Sequence, residues 1–215
     1  MDYTINGLLD KLNKIYGIQN NRIYDLEDLF YYHQKFLLRY LESKNKAGSE
    51  ESIINLVTSV GWFVGIINHF QIDLESTLAK RYSYKCPFCL EMPCFCLENC
   101  DQKSQKTGRP ISRKPENISQ WQEVIGKIYP KQEKKDLDNN LLLRQDNLHQ
   151  IFRRFRREPS KTFFKDLESS SADYFAFILR ILNAANIDLS KEFDQLFSQG
   201  CYVCHKTPCQ CFYAE

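Results

Sequence analysis

The stretch "IDLESTLAKRYSYKCPFCLEMPCFC", residues 72–96, is answered 115 positions later by "IDLSKEFDQLFSQGCYVCHKTPCQC", residues 187–211. Both run without a gap from an Ile-Asp-Leu turn to four cysteines, so Cys86, Cys89, Cys94 and Cys96 map onto Cys201, Cys204, Cys209 and Cys211, and Pro93 onto Pro208. The correspondence continues outward. "KIYGIQ" at 14–19 answers "KIYPKQ" at 127–132, "HQKF" at 33–36 answers "HQIF" at 149–152, and "NHFQIDL" at 68–74 answers "NAANIDL" at 183–189. Four blocks in one order, with small length changes between them, mark a tandem duplication. The expected domains are residues 1–97 and 116–215. Between them, 98–115 is polar, carries Gly108, Pro110 and Pro115, and reads as an exposed linker.

Each copy has a helical pattern. Leu26, Leu29, Phe30, His33, Phe36, Leu37, Tyr40 and Leu41 recur at three- and four-residue spacing and line one helix face. After "KAGSEE", Ser49 is placed to cap a helix through Ile53, Val57, Val60, Val64 and Ile67 that is apolar nearly all round and therefore buried. Asp73 reads as the cap of a short helix leading into the cysteines. In the second copy Ser119 opens a helix through Trp121 and Ile125, Leu141–Arg157 form another, Phe163–Ala185 the buried one, and Asp188 caps the last. No segment alternates with period two. The expected class is all-α, two helical units packed as a pseudo-dimer.

The chain has 215 residues, 43% of them hydrophobic, and a net charge of +2 from 29 basic and 27 acidic residues. So balanced a charge argues against nucleic acid or a membrane as the partner. The amino terminus "MDYTINGLLDKLNK" lacks a basic segment followed by an apolar one, and the longest apolar run, "VGWFVGIINHF", is about half a membrane span. The expected location is cytoplasmic.

In such a chain, eight of nine cysteines in two tight clusters point to metal rather than to disulfide staples, leaving Cys100 as an incidental thiol. Cys-x-x-Cys offers two thiolates on one side, a proline-containing turn brings the chain back, and Cys-x-Cys offers two more, which completes a tetrahedral zinc site. Two structural zinc ions are expected. The alternatives are an iron–sulfur cluster, ligands shared between copies, or redox disulfides. Four sulfur ligands leave no open position for a catalytic water. His205 lies inside the second cluster, but its counterpart is Leu90, which reads as a solvated loop position.

At "IINLVTSVGWFVGIINHFQIDLESTLAKRYSYKCPFC", 53–89, and "DLESSSADYFAFILRILNAANIDLSKEF", 166–193, the chain resembles the MazG-like all-α nucleoside triphosphate pyrophosphohydrolases. The resemblance rests on the order of helices, the Ile-Asp-Leu turns and the cysteine-rich tail. It implies magnesium held by carboxylates on two helices, which bridges a triphosphate and activates water. The family aspartate falls on Asp173, but the acidic position three residues before it is Ser170, and the first copy has Thr58 and Asn55 there. The other helix, His33–Leu41 in one copy and His149–Arg157 in the other, has no carboxylate. Glu158, Asp166 and Glu168 would serve only in a shifted register.

The reading is therefore a catalytically degenerate MazG-like protein that binds a nucleotide or a protein partner, a second copy of the chain among the candidates. The first alternative is an active magnesium-dependent pyrophosphohydrolase using Asp173. The second is a zinc-stabilised nucleic-acid-binding module resting on Arg153, Arg154 and Arg157, which could equally neutralise the phosphates of a nucleotide. His33 and His149, matched in the two copies, are expected to pack or hydrogen-bond where the units meet.

Overall fold

The computed structural model describes residues 2–44, 50–82, 84–96, 114–130 and 134–211. The expected linker lies outside these apart from Lys114 and Pro115, as do Cys100 and Ser49. Among the described residues the fold is all-α, with helices α1 (Ile5–Arg22), α2 (Leu26–Ser43), α3 (Glu50–His69), α4 (Leu74–Arg81), α5 (Ile118–Ile128), α6 (Lys134–Arg157), α7 (Lys161–Ala184) and α8 (Leu189–Phe197), and no strand.

The helix starts are written in short polar side chains. Thr4, Asp25, Asp73, Asn117, Ser160 and Asp188 cap α1, α2, α4, α5, α7 and α8, each accepting from a backbone N–H in the first turn. Asp73 and Asp188 cap as expected. α5 is capped by Asn117, whose side chain accepts from Gln120 N–H, and not by Ser119, which lies inside the first turn. α6 begins at Lys134, seven residues before the expected Leu141.

Both long central helices stop in the same way. Gln71 (φ 53°) and Asn186 (φ 54°) adopt the left-handed conformation just after α3 and α7, and Ile72 N–H returns to the Ile67 carbonyl at 3.1 Å. The next aspartate then caps the following short helix. The Ile-Asp-Leu turn is thus a stop signal followed directly by a start signal.

The chain forms two compact units, and they do not follow the repeat boundaries. Unit 1 is Met1–Ile72 with Ile187–Glu215; unit 2 is Asp73–Asn186. The dividing points, 72/73 and 186/187, both fall in the Ile-Asp-Leu turns, so each repeat contributes its long helices to one unit and its short helix and cysteine loop to the other. In unit 1, α3 packs against α1, α2 and α8; in unit 2, α7 packs against α4, α5 and α6. Residues 1–97 and 116–215 are each divided between the units.

α3 is long and apolar enough to cross a membrane by length and composition. Its Leu56, Val57, Val60, Phe63, Val64 and Ile67 are buried in unit 1, and such side chains contribute about 1.5–3 kcal/mol each, so its apolarity is that of a core helix. The same role falls to Phe175, Ile178, Leu179 and Leu182 of α7 in unit 2. His33 is fully buried within unit 1, where its Nδ1–H donates to the Ser59 carbonyl at 2.8 Å; burial pushes its pKa down to about 4, so the ring is neutral. The matched His149 is half-buried in unit 2 and stacks on Phe152.

Candidate metal centres

The two cysteine loops are built alike. In the first, Cys86 N–H donates to the Glu91 carbonyl at 3.0 Å and Leu90 N–H to the Cys86 carbonyl at 2.9 Å. In the second, Cys201 N–H donates to Lys206 at 3.0 Å and His205 N–H to Cys201 at 2.8 Å. Leu90 and His205 both have positive φ, so His205 occupies a backbone position and points to solvent. Gly200, at φ +108°, has no freedom to change, because a Cβ would meet the Lys206 carbonyl oxygen at 2.8 Å.

These turns bring the four sulfurs of each loop within 4.8 Å of one another. Cys86–Cys96 and Cys89–Cys94 are 3.9 and 3.8 Å apart; Cys201–Cys211 and Cys204–Cys209 are 3.6 and 3.9 Å apart. A tetrahedron with metal–sulfur bonds of ~2.3 Å has edges of about 3.8 Å, whereas a disulfide is ~2.05 Å long. The spacing therefore suits a tetrahedral ion, and each quartet is complete within one loop. Among the described residues, the groups of three or more His, Cys, Asp or Glu close enough to hold an ion are these two quartets.

Backbone N–H groups point at the sulfurs and favour thiolates. Burial opposes ionisation at Cys89, but the N–H groups of Glu91 and Phe95 and neighbouring thiols bring its pKa down to about 7. Cys204 is brought down to about 6, first by Gln210 N–H, whose nitrogen lies 3.3 Å from the sulfur. Burial raises Cys209 instead.

Each loop is fastened to a helix of the other repeat, the first at the last residue of α5 and the second within α1. Cys94 N–H donates to the Ile128 carbonyl at 2.8 Å, and Cys209 N–H to Ile15 at 2.7 Å. The next residue in each case is a tyrosine. Tyr129 Oη–H donates to Cys86 Sγ at 3.6 Å, and Tyr16 Oη bonds Cys201 while accepting from Tyr202 N–H at 3.2 Å. Gln19 Nε2 donates to the Cys209 carbonyl. These tyrosines are those of the "KIY" in both copies, a signal of duplication that carries no mark of a contact with the cysteines.

Asp173 lies on α7 against α4. Arg81 Nε donates to its Oδ1 at 2.7 Å, Arg81 Nη2 donates to Oδ2, and the Tyr82 hydroxyl adds a contact to Oδ1 at 3.1 Å. Burial opposes the Arg81 charge, but Asp173 outweighs it and keeps the guanidinium protonated. Arg153, Arg154 and Arg157 are exposed on α6, with Arg154 over the Phe163 ring at 4.1 Å. Glu158 and Asp166 are exposed and Glu168 half-buried; the structure does not gather them with Asp173. Comparison with protein-family models, with curated proteins and with solved structures finds no match for this chain.

Proposed function

We propose that this chain is a zinc-stapled binding protein that keeps a MazG-like helical frame without magnesium chemistry, its ligand being a nucleotide or a protein partner. The observation that carries the reading is the surroundings of Asp173. A carboxylate that bridges magnesium must offer an oxygen to the cation, and both oxygens of Asp173 accept from Arg81. The guanidinium beside it would oppose a second cation. The first-copy counterpart is Thr58, which has no carboxylate to offer. The pairing of the duplicated helices as a pseudo-dimer belongs to this proposal.

In this reading each quartet holds one zinc ion, which fastens a tail that carries few apolar side chains beyond its short helix. The functional test is pyrophosphate release from a panel of nucleoside triphosphates with magnesium. The expected result is none above the enzyme-free rate. Release that is abolished by Asp173→Ala establishes a hydrolase instead. Elemental analysis should return about two zinc ions per chain; iron with visible charge-transfer bands overturns the choice of metal.

A further inference from the structure

The two units differ at one equivalent place. In unit 2 the Arg180 guanidinium lies 4.3 Å from the Tyr129 ring centroid and 5.1 Å from that of Phe177. The repeat offsets put Tyr16, Trp62 and Gly65 of unit 1 at the positions of Tyr129, Phe177 and Arg180. Matched hydrogen bonds support the equivalence: Asn183 Nδ2 donates to the Gln122 carbonyl at 2.7 Å, and Asn68 Nδ2 to Leu9 at 3.0 Å. Where unit 2 has an arginine, unit 1 has a hydrogen atom and a cavity of about 230 Å³, walled by Tyr16, Tyr24, Phe36, Trp62 and Phe197. At its rim Val203 is 68% exposed, whereas the equivalent Phe88 is 7% exposed. Tyr32, stacked on Trp62 at 4.6 Å, steadies the indole plane.

Two features of this cavity define an occupant. Its walls are aromatic faces, which accept a flat group and attract a cation. Cys201, Cys209 and Cys211 also line it, and four thiolates around a divalent ion leave about two negative charges there. A guanidinium is flat, rich in N–H donors and positive. A neutral heterocycle lacks the charge, and an ammonium lacks the plane.

We infer that the unit 1 cavity binds the guanidinium of an arginine side chain presented by a partner protein, in the place that unit 2 fills from its own chain. This rests on the binding reading above and narrows it to the protein partner.

The test is a titration of the zinc-loaded full chain, followed at the two indole N–H signals, Trp62 and Trp121, in a ¹⁵N–¹H correlation spectrum. The probes are N-acetyl-arginine amide, N-acetyl-citrulline amide and adenosine. The arginine probe should shift the Trp62 signal saturably and leave the buried Trp121 in place. Citrulline, of the same shape but neutral, should bind about tenfold more weakly or worse. Gly65→Arg should abolish binding by supplying the missing side chain; its Cβ falls 2.8 Å from Asn20 Nδ2, a movable group. Trp62→Leu, measured by calorimetry with zinc content and melting as controls, should also abolish it. No response to arginine, an equal response to citrulline, adenosine acting where arginine does not, or binding that survives Trp62→Leu would each overturn the inference. Pyrophosphate release from the same preparation decides the binding reading separately.

Discussion

Replacing Cys201 and Cys204 by serine should loosen helices of the first repeat and spare those of the second, although both residues belong to the second. The loop they close is docked on α1. Losing the metal frees the chain beyond α8, and what the α1–α3 core then loses can be counted. Three hydrogen bonds go: Cys209 N–H to Ile15, Gln19 Nε2 to Cys209, and Tyr202 N–H to Tyr16 Oη. At about 1 kcal/mol net each, with a similar amount for each of the buried Cys201 and Cys209 side chains, the loss is roughly 5 kcal/mol. That is a large share of the 5–15 kcal/mol typical of a domain. Hydrogen exchange read on peptides from α1 and α3 should show protection reduced by roughly three to four orders of magnitude, with α5 and α7 little changed. The reciprocal pair, Cys86→Ser with Cys89→Ser, should loosen α5 and α7, since Cys94 N–H is held by Ile128. If Cys201→Ser with Cys204→Ser exposes α5 and α7 while α1 stays protected, the assignment of tails to units is wrong.

Stability should fall as pH drops from 6.5 towards 4, because His33 stays neutral in the folded chain down to about 4 while the unfolded chain takes up a proton near 6.5. The gap between those values corresponds to roughly 3 kcal/mol, present in full above pH 6.5; urea unfolding at pH 7.5 and 4.5 should show it, and His33→Phe should remove that part of the decline. Tyr16→Phe should leave the fold intact yet speed zinc loss to a competing chelator about tenfold, because a hydroxyl that bonds a ligand sulfur is gone; unchanged transfer kinetics would dismiss the role. Asp173→Ala should cost about 2 kcal/mol in chemical denaturation by leaving Arg81 half-buried without its carboxylate, and Arg81→Leu added to it should recover part of that cost.

What was legible in the sequence were the faces and the signals at helix ends. The spacing through Leu29, His33, Leu37 and Tyr40 gave α2, and all four are buried. Asp73 and Asp188 announced α4 and α8. The start of α6 is not legible because "KQEKKDLDNN" has no apolar period; among residues 136–140, Leu137 and Asp138 are the buried ones. The cysteine spacing gave both quartets with every ligand. Which helices each tail covers was not legible: repeats with the same apolar pattern dock equally well on either copy as far as periodicity can tell. Nor was the Arg81–Asp173 contact, whose partners lie 92 residues apart and in different repeats.

The side chains where the repeats differ explain why the tails are exchanged rather than kept. In unit 2, Arg81 and Tyr82 meet Asp173. The second tail has Leu196 and Phe197 at those places, and the first repeat has Thr58 where the second has Asp173. Were each tail to pack on its own repeat, Asp173 would face Leu196 and Phe197, whose side chains offer no donor, and Arg81 would meet a threonine in place of its carboxylate. Unit 1 has its own key. The Tyr3 hydroxyl donates to Asp194 at 2.6 Å, Lys11 Nζ donates to Tyr3 at 2.8 Å, and Ser190 Oγ donates to Asp2 at 2.8 Å. The first tail carries Ala79 in place of Asp194, so it would leave the Tyr3 hydroxyl without this acceptor and Lys11 without the nearby carboxylate. A half-buried ion pair adds little net stability over an apolar pair, but leaving one member alone is costly, which makes such pairs effective at selecting one packing over another. The two charge keys reject the wrong tail on each unit, and an ion held by the cysteine quartet would then fasten the right one.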